Sequence, residues 1–330
     1  MSGEGGASGA GGPDEVFDVI VVGAGVAGLT AAAATARGGA RTLLLDRLGV
    51  GGQVSTVENV ANAPGFDEPI AGYDLGVELL EVAESAGAEV ALDEVEAIEA
   101  AGPAAIDEAV VNGGGFVVRA AARSLGARAI VIATGSTRRA LGLVGEAELE
   151  GRGISHCASC DGPFFRERRV VVVGGGDSAY DEALVLAEHA ADVLVVHTGP
   201  EPTARATAVE NLRARPNARE LPNATVTAVR GTERVESVTI SRHDTGQEVD
   251  QAADGLFVYI GLQPNSRPIA GLVDLDRDGR VVVDAGLQTS RQGAFAAGDV
   301  RSGTAAMLAE SATDGESAAA SALEFLRAPR

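Results

Sequence analysis

The stretch VIVVGAGVAGLTAAAATARGGARTLLLD, residues 19–46, decides the fold. It opens on a run of β-branched residues, as expected of a strand buried on both faces, and then breaks at glycine. Its middle carries apolar residues three and four apart, the period of a helix, and it closes on a second apolar strand. Between first strand and helix, Gly23, Gly25 and Gly28 stand in a G-x-G-x-x-G spacing. Gly23 permits the tight turn, Gly25 lets the backbone approach a pyrophosphate, and Gly28 lets helix and strand pack closely. The helix N-terminus then faces the phosphates, and Asp46 at the end of the second strand can accept hydrogen bonds from a ribose diol.

In a chain with 44 glycines one such triplet would be weak evidence, but the pattern recurs. Residues 170–197, VVVVGGGDSAYDEALVLAEHAADVLVVH, repeat strand, glycine turn, helix and strand, with Gly174, Gly176 and Ala179 at the same spacing. Two such units in context predict an α/β fold with two Rossmann-like dinucleotide-binding domains. Two further segments read as parts of the first domain. Residues 129–135 (AIVIATG) form a buried strand ending in the turn Thr134-Gly135, and residues 293–300 (GAFAAGDV) form a short strand delivering Asp299 to a helix start. An aspartate there can hold a polyol hydroxyl.

Composition limits the function. The chain has 330 residues, 45% of them apolar, enough for two cores. The net charge is −21 and the sequence has no lysine, which argues against nucleic acid or an anionic membrane as a partner. Aromatic residues make up 3% and tryptophan is absent, so the cores must be built from small aliphatic side chains. The Gly/Ser/Ala-rich start, residues 1–13, reads as a disordered tail without a signal sequence, and no run of some twenty apolar residues occurs. The expected location is cytoplasmic.

The chain has two cysteines, Cys157 and Cys160, in a C-x-x-C. A structural zinc site would need two more N or S ligands, and of four histidines only His156 is near in sequence. No metal site is expected. A two-residue loop constrains little of the unfolded chain, so the pair is no fold staple. A redox disulfide remains, in which two thiols one turn apart close on each other quickly.

These motifs resemble the low-molecular-weight thioredoxin reductase family, within the pyridine nucleotide-disulfide oxidoreductases (class II). The resemblance runs from Phe17 to about Leu326, in FDVIVVGAGVAGLTAA, GGQVSTVENVANAPGF, ARAIVIATGS, CASCDGPFF, VVVVGGGDSA, FVYIGLQPN and FAAGDV. It implies an FAD-binding domain in two pieces, residues 14–136 and 255–330. An NAD(P)H-binding domain carrying the C-x-x-C, residues 137–254, is inserted between them, with hinges near Ser136 and Gly255. It also implies that Gln53 and Asn62 lie against the flavin and that Asp299 binds its ribityl chain. Cys160 would accept electrons from the flavin, Cys157 would exchange with the acceptor, and Asp161 would shuttle the proton. Arg152 matches a position used for docking the partner. The implied activity moves electrons from NAD(P)H through FAD to Cys157–Cys160 and on to a thioredoxin-like protein or small disulfide, in a homodimer. Two alternatives stand beside it, an FAD-dependent dithiol oxidase using oxygen and a non-catalytic dinucleotide-binding redox sensor.

The sequence departs from the family at two places. NADPH-using members run from the second strand of the second unit into His-Arg-Arg, with a further arginine nearby, whereas this chain has His197-Thr198-Gly199-Pro200, leaving Arg205. A 2′-phosphate needs guanidinium partners, so NADH is expected over NADPH. In the C-terminal helix the family's Arg-Gln is replaced by Ala306-Met307, removing polar groups from the flavin edge.

Overall fold

A computed structural model describes residues 13, 15–57, 60, 63, 65–66, 68–101 and 115–328. Asn62 and all of the N-terminal tail except Pro13 lie outside the described residues. The chain divides into two compact units: Arg138–Leu262, and a second made from the chain up to Thr137 together with Gln263 onward.

In the latter unit, strand Glu15–Val22, helix Val26–Arg37 and strand Thr42–Asp46 are the βαβ element read from residues 19–46. The two strands pair in parallel, Val19 opposite Thr42. Parallel neighbours extend the sheet on both sides: Glu89–Leu92 beyond Thr42–Asp46, and Ser124–Ile132 then Ala294–Ala296 beyond Glu15–Val22. An antiparallel hairpin, Val95–Ala100 with Phe116–Ala120, branches from the start of Ser124–Ile132. The central strands Glu15–Val22, Thr42–Asp46 and Ser124–Ile132 are mostly apolar because both faces are covered. One face packs Val19, Val21, Val131 and Phe295 against Ala27, Ala31, Ala318 and Ala322 of two helices, and the other packs Ile20, Ile130 and Ile132 against Phe17 and Phe116.

The helices are alanine-rich where they meet. A methyl group at Gly315 of the C-terminal helix, Leu308–Arg327, would lie 2.3 Å from the backbone oxygen of Ala27. Close helix contact therefore replaces the bulk that aromatic residues would supply. That helix begins at Leu308, so Asp299 does not open it. Asp299 lies in a 3₁₀ turn, Gly298–Val300, after the short strand. Ala306 and Met307 likewise precede the helix rather than belonging to it. Ala306 is left-handed at φ 54° and Met307 is exposed at the cap, so the chain has not entered helical geometry there.

The Arg138–Leu262 unit repeats the plan. Strand Arg169–Val173, helix Asp177–Ala187 and strand Asp192–Val196 form its βαβ element, in a five-stranded parallel sheet completed by Ala218–Leu221, Gly255–Val258 and Ile154–Ser155. An antiparallel three-stranded sheet, Ala224–Arg230, Ser237–Arg242 and Glu248–Ala252, joins it. The expected boundary before Gly255 is corrected by this sheet. Gly255–Val258 lies in the five-stranded sheet between Arg169–Val173 and Ile154–Ser155, with Gly255 opposite Val170, and the unit ends at Leu262. Among the described residues no helix is long and apolar enough to cross a membrane.

One buried ion pair ties the C-terminal helix to the turn bearing Asp299. Asp314, with a side chain 8% exposed, accepts from the Gly298 amide at 3.0 Å and from Arg301 through both carboxylate oxygens. The hydrogen bond to Asp314 leads the causes that hold the Arg301 guanidinium above its ordinary pKa. Asp314→Asn turns an amide N–H toward the guanidinium and strands a mostly buried charge, so equilibrium urea unfolding is expected to show a loss of about 3 kcal/mol.

Candidate active site

The first glycine turn is built by contact. The oxygen of Gly23 occupies the space a side chain at 28 would take, since a Cβ there would fall 1.8 Å away. Gly23 itself has φ +107° and sits against the backbone of Ala133. Gly25 differs: a Cβ there would meet nothing within 4 Å, so the missing side chain leaves an open cradle at the start of the helix. Asp46 turns inward to this loop. Its carboxylate accepts from the Ala24 amide at 2.8 Å and from the Leu48 and Gly49 amides at 2.8 and 3.0 Å. Three backbone donors leave it about one of its four lone-pair sites for a ribose hydroxyl.

The Gly51 amide bonds to Ala24 O at 2.8 Å, which presses the Gly51-Gly52-Gln53 segment onto the turn. Gln53 then meets Asp299: Gln53 Nε2 donates to Asp299 Oδ2 at 3.3 Å and to Ser136 Oγ at 3.1 Å, and Ser136 Oγ donates to Asp299 Oδ2 at 3.1 Å. Arg280 holds the Asp299 backbone oxygen at 2.6 Å. Thr134 and Gly135 lie beside the turn, where the Asn265 side chain donates to Thr134 O and the Asn265 amide to Gly135 O. Gly23, Gly25, Gly28, Asp46, Gln53, Thr134, Gly135 and Asp299 are thus brought together within one unit. Ser136, Arg280, Arg301 and Asp314 escaped the sequence reading because nothing local marks them.

In the Arg138–Leu262 unit, Gly174 has φ +144°, and a Cβ there would lie 2.2 Å from Tyr259 O and 2.9 Å from Ala179 Cβ. The segment after His197 folds back onto this turn, the Thr203 and Ala204 amides donating to Gly175 O at 2.7 and 3.0 Å. Arg205 is engaged by carboxylates of the same helix: it reaches Asp177 Oδ1 at 3.2 Å through Nε and Asp181 at 2.6 Å through Nη2. Asp177 is held below its usual pKa, first by the Arg205 backbone N–H and then by its guanidinium.

Cys157 and Cys160 form a disulfide, Cα–Cα 5.3 Å. Cys157 caps a single helical turn, Ala158–Asp161, and the Cys160 amide donates to Cys157 Sγ at 3.2 Å. Asp161 accepts from Ser155 Oγ at 2.5 Å, and Ser155 Oγ in turn accepts from the Cys157 amide at 3.1 Å. A second set of bonds grips the other side of the cysteine. The Ala158 amide donates to Glu182 Oε2 at 2.7 Å and to Tyr259 Oη at 3.1 Å, while Tyr259 Oη donates to Glu182 at 3.2 Å. Burial first, then the Glu182 carboxylate, pushes the Tyr259 phenol well above the usual tyrosine range, so it stays a neutral donor. His156 is held by Val258 O at 3.1 Å and faces Glu150 at 3.4 Å. Among the described residues no cluster of three or more acidic, histidine or cysteine side chains is arranged to hold a metal ion.

Two glycine turns of nucleotide-binding form and a reducible disulfide within one chain define a dinucleotide-dependent disulfide oxidoreductase. The chain belongs to the pyridine nucleotide-disulphide oxidoreductase family, whose model matches residues 17–315. It is 36% identical to a thioredoxin reductase of Treponema pallidum over 313 residues, 94% of this chain and 97% of the relative. It is 37% identical to that of Bacillus subtilis over 317 residues, 95% and 96%. Among solved structures it resembles the Lactococcus lactis thioredoxin reductase (FR conformation), with TM-score 0.77 and 32% identity, covering 94% of this chain and 99% of that one. The T. acidophilum thioredoxin reductase gives TM-score 0.74 and 34% identity, covering 94% of this chain and 98% of that one.

Family membership implies FAD and a nicotinamide dinucleotide, and the residues present fit both. Among the described residues, two buried side-chain polar atoms lack a hydrogen-bond partner, and each lies at a glycine turn. Thr134 Oγ1 is beside Gly23, and His197 Nδ1 is beside Gly175. A buried polar atom left unpaired is costly, and a ligand at each turn would relieve it.

The same geometry separates the glycines. Gly28→Ala drives a methyl into backbone and is expected to destabilise by at least about 3 kcal/mol, whereas Gly25→Ala, at φ −74° with open space around it, is expected to stay within about 1 kcal/mol of the parent in urea unfolding.

Proposed function

We propose that the chain takes electrons from NADH and delivers them through the Cys157–Cys160 disulfide to a thioredoxin-like protein disulfide. The observation that carries this reading is the disulfide itself, capped at a helical turn and held on one side by Ser155 and Asp161, in a chain so similar to thioredoxin reductases. The part of the chain up to Thr137 with Gln263 onward is the FAD-binding unit, and Arg138–Leu262 is the nicotinamide unit. Bound FAD supplies two-electron transfer between nicotinamide and disulfide. Gly25 and the helix start would receive its pyrophosphate, Asp46 a ribose hydroxyl, and the Gln53–Ser136–Asp299 cluster its polyol chain.

In the protein, Cys160 accepts electrons and Cys157 exchanges with the partner, with Asp161 holding the proton at its carboxylate. Gly174, Gly176 and Ala179 shape the nicotinamide-nucleotide turn. The NADH preference is supported by Arg205. The remaining guanidinium of the lost clamp is already bonded to Asp177 and Asp181, and those two carboxylates would repel a 2′-phosphate. The enzyme is assigned to the cytoplasm as a homodimer, by family resemblance.

Steady-state reduction of a thioredoxin from the same source is expected to run at least about tenfold better in kcat/KM with NADH than with NADPH, and to be lost in Cys157→Ser. Equal use of NADPH overturns the donor, and peroxide formed from a dithiol under air, without NADH-driven reduction, overturns the direction. Thr134→Val, which removes a hydroxyl and little else, is expected to weaken FAD retention about fivefold, the worth of roughly 1 kcal/mol of hydrogen bonding, read by titrating apoprotein with FAD.

A further inference from the structure

One group near the disulfide has no part in the chemistry so far. Glu182 lies on helix Asp177–Ala187, and its carboxylate accepts the N–H of the peptide directly after Cys157. Ala158 is fully buried, so this amide has no water to turn to. Tyr259 shares the same N–H and donates its own hydroxyl to the carboxylate, which fixes Glu182 in place.

In an open C-x-x-C turn, the cysteine at its start is normally activated by nearby peptide N–H groups that stabilise the thiolate. Here two amides of the turn have different fates. The Cys160 N–H points at Cys157 Sγ, at 3.2 Å, and favours the thiolate. The Ala158 N–H is spent on Glu182, which also sets a negative charge beside Cys157.

We propose that Glu182 is a positioning residue of the disulfide chemistry: it fixes the backbone after Cys157, withholds one amide from its sulfur and, by its charge, keeps the freed Cys157 protonated until a partner arrives. Two electrons and two protons open the S–S bond to two thiols, and ionisation of the Cys157 thiol then releases one proton. Glu182 opposes that last step alone. Of the other titratable groups near the turn, Asp161 is paired with Ser155, Tyr259 with Glu182, and His156 with Val258 O and Glu150, while the Arg138 charge acts on Tyr259 and the His189 ring lies against Gly162, and these are unchanged in every variant below. The proposal rests on the disulfide being reducible, and not on the identity of donor or acceptor.

The test uses full-length, FAD-loaded protein carrying Cys160→Ser, so that Cys157 is the single thiol, reduced chemically and alkylated with iodoacetamide across pH 5–10. Glu182→Gln is expected to move the rate profile about one unit to lower pH, about tenfold faster below the midpoint. Glu182→Asp, which keeps the charge, is expected to stay with the parent. Glu182→Ala, which opens the amide to water, is expected to shift with Gln and serves if Gln does not fold. A parent-like profile in whichever of Gln and Ala folds with its flavin overturns the proposal, as does a shift in Glu182→Asp equal to that in Gln. Because the reductant is chemical, this result stands whether or not NADH-driven thioredoxin reduction is found.

Discussion

The oxygen of Gly23 lies where a side chain at residue 28 would be, and most of the first site follows from that contact. It brings helix Val26–Arg37 close behind strand Glu15–Val22, so the amide of Ala24 can reach the Asp46 carboxylate from the neighbouring strand. It also leaves Ala24 O free for the amide of Gly51. Through that one bond the Gly51-Gly52-Gln53 segment is laid across the turn, and Gln53 reaches Asp299 and Ser136. A polar cluster assembled from residues 53, 136 and 299 therefore depends on a packing distance at residues 23 and 28.

The second unit, with Ala179 in place of the third glycine, is closed by another contact and adds a link. The group that would collide with a side chain at Gly174 is the backbone oxygen of Tyr259, and the hydroxyl of the same Tyr259 bonds to the amide after Cys157. Glu182, two turns into the helix that Gly174 and Gly176 open, completes the link. The nucleotide turn and the redox turn thus share Tyr259. Any disturbance of strand Gly255–Val258 reaches both, because Tyr259 follows that strand directly.

What the sequence disclosed divides along this line. Glycine spacing, β-branched strands and C-x-x-C are local patterns, and each βαβ element and the disulfide could be read from them. Gln53 and Asp299 were reachable through resemblance, since 246 positions separate them and no periodicity connects them. Ser136, Glu182, Tyr259 and Asp314 were not, because a polar side chain on a helix or after a strand looks solvated until the fold shows what it faces. The boundary near Gly255 was misread for a related reason. Residues 255–258 are an apolar run that suits either sheet, and only the parallel pairing with Arg169–Val173 assigns it. The start of the C-terminal helix was misread because Met307 offers no side-chain cap to mark it.

The segment after His197 can vary in its side chains without cost to the fold. That segment is held by main-chain bonds, the Thr203 and Ala204 amides to Gly175 O, which depend little on which side chains occupy residues 198–201. The βαβ geometry is set by Gly174, Ala179 and the buried strands, and none of these contacts involves a charged group. Arg205, Asp177 and Asp181 are all more than half exposed, so their pairing adds little stability and can be rearranged cheaply. The proposed NADH preference consequently rests on a surface arrangement of three charges, separable from the packing that forms the nucleotide turn beneath it.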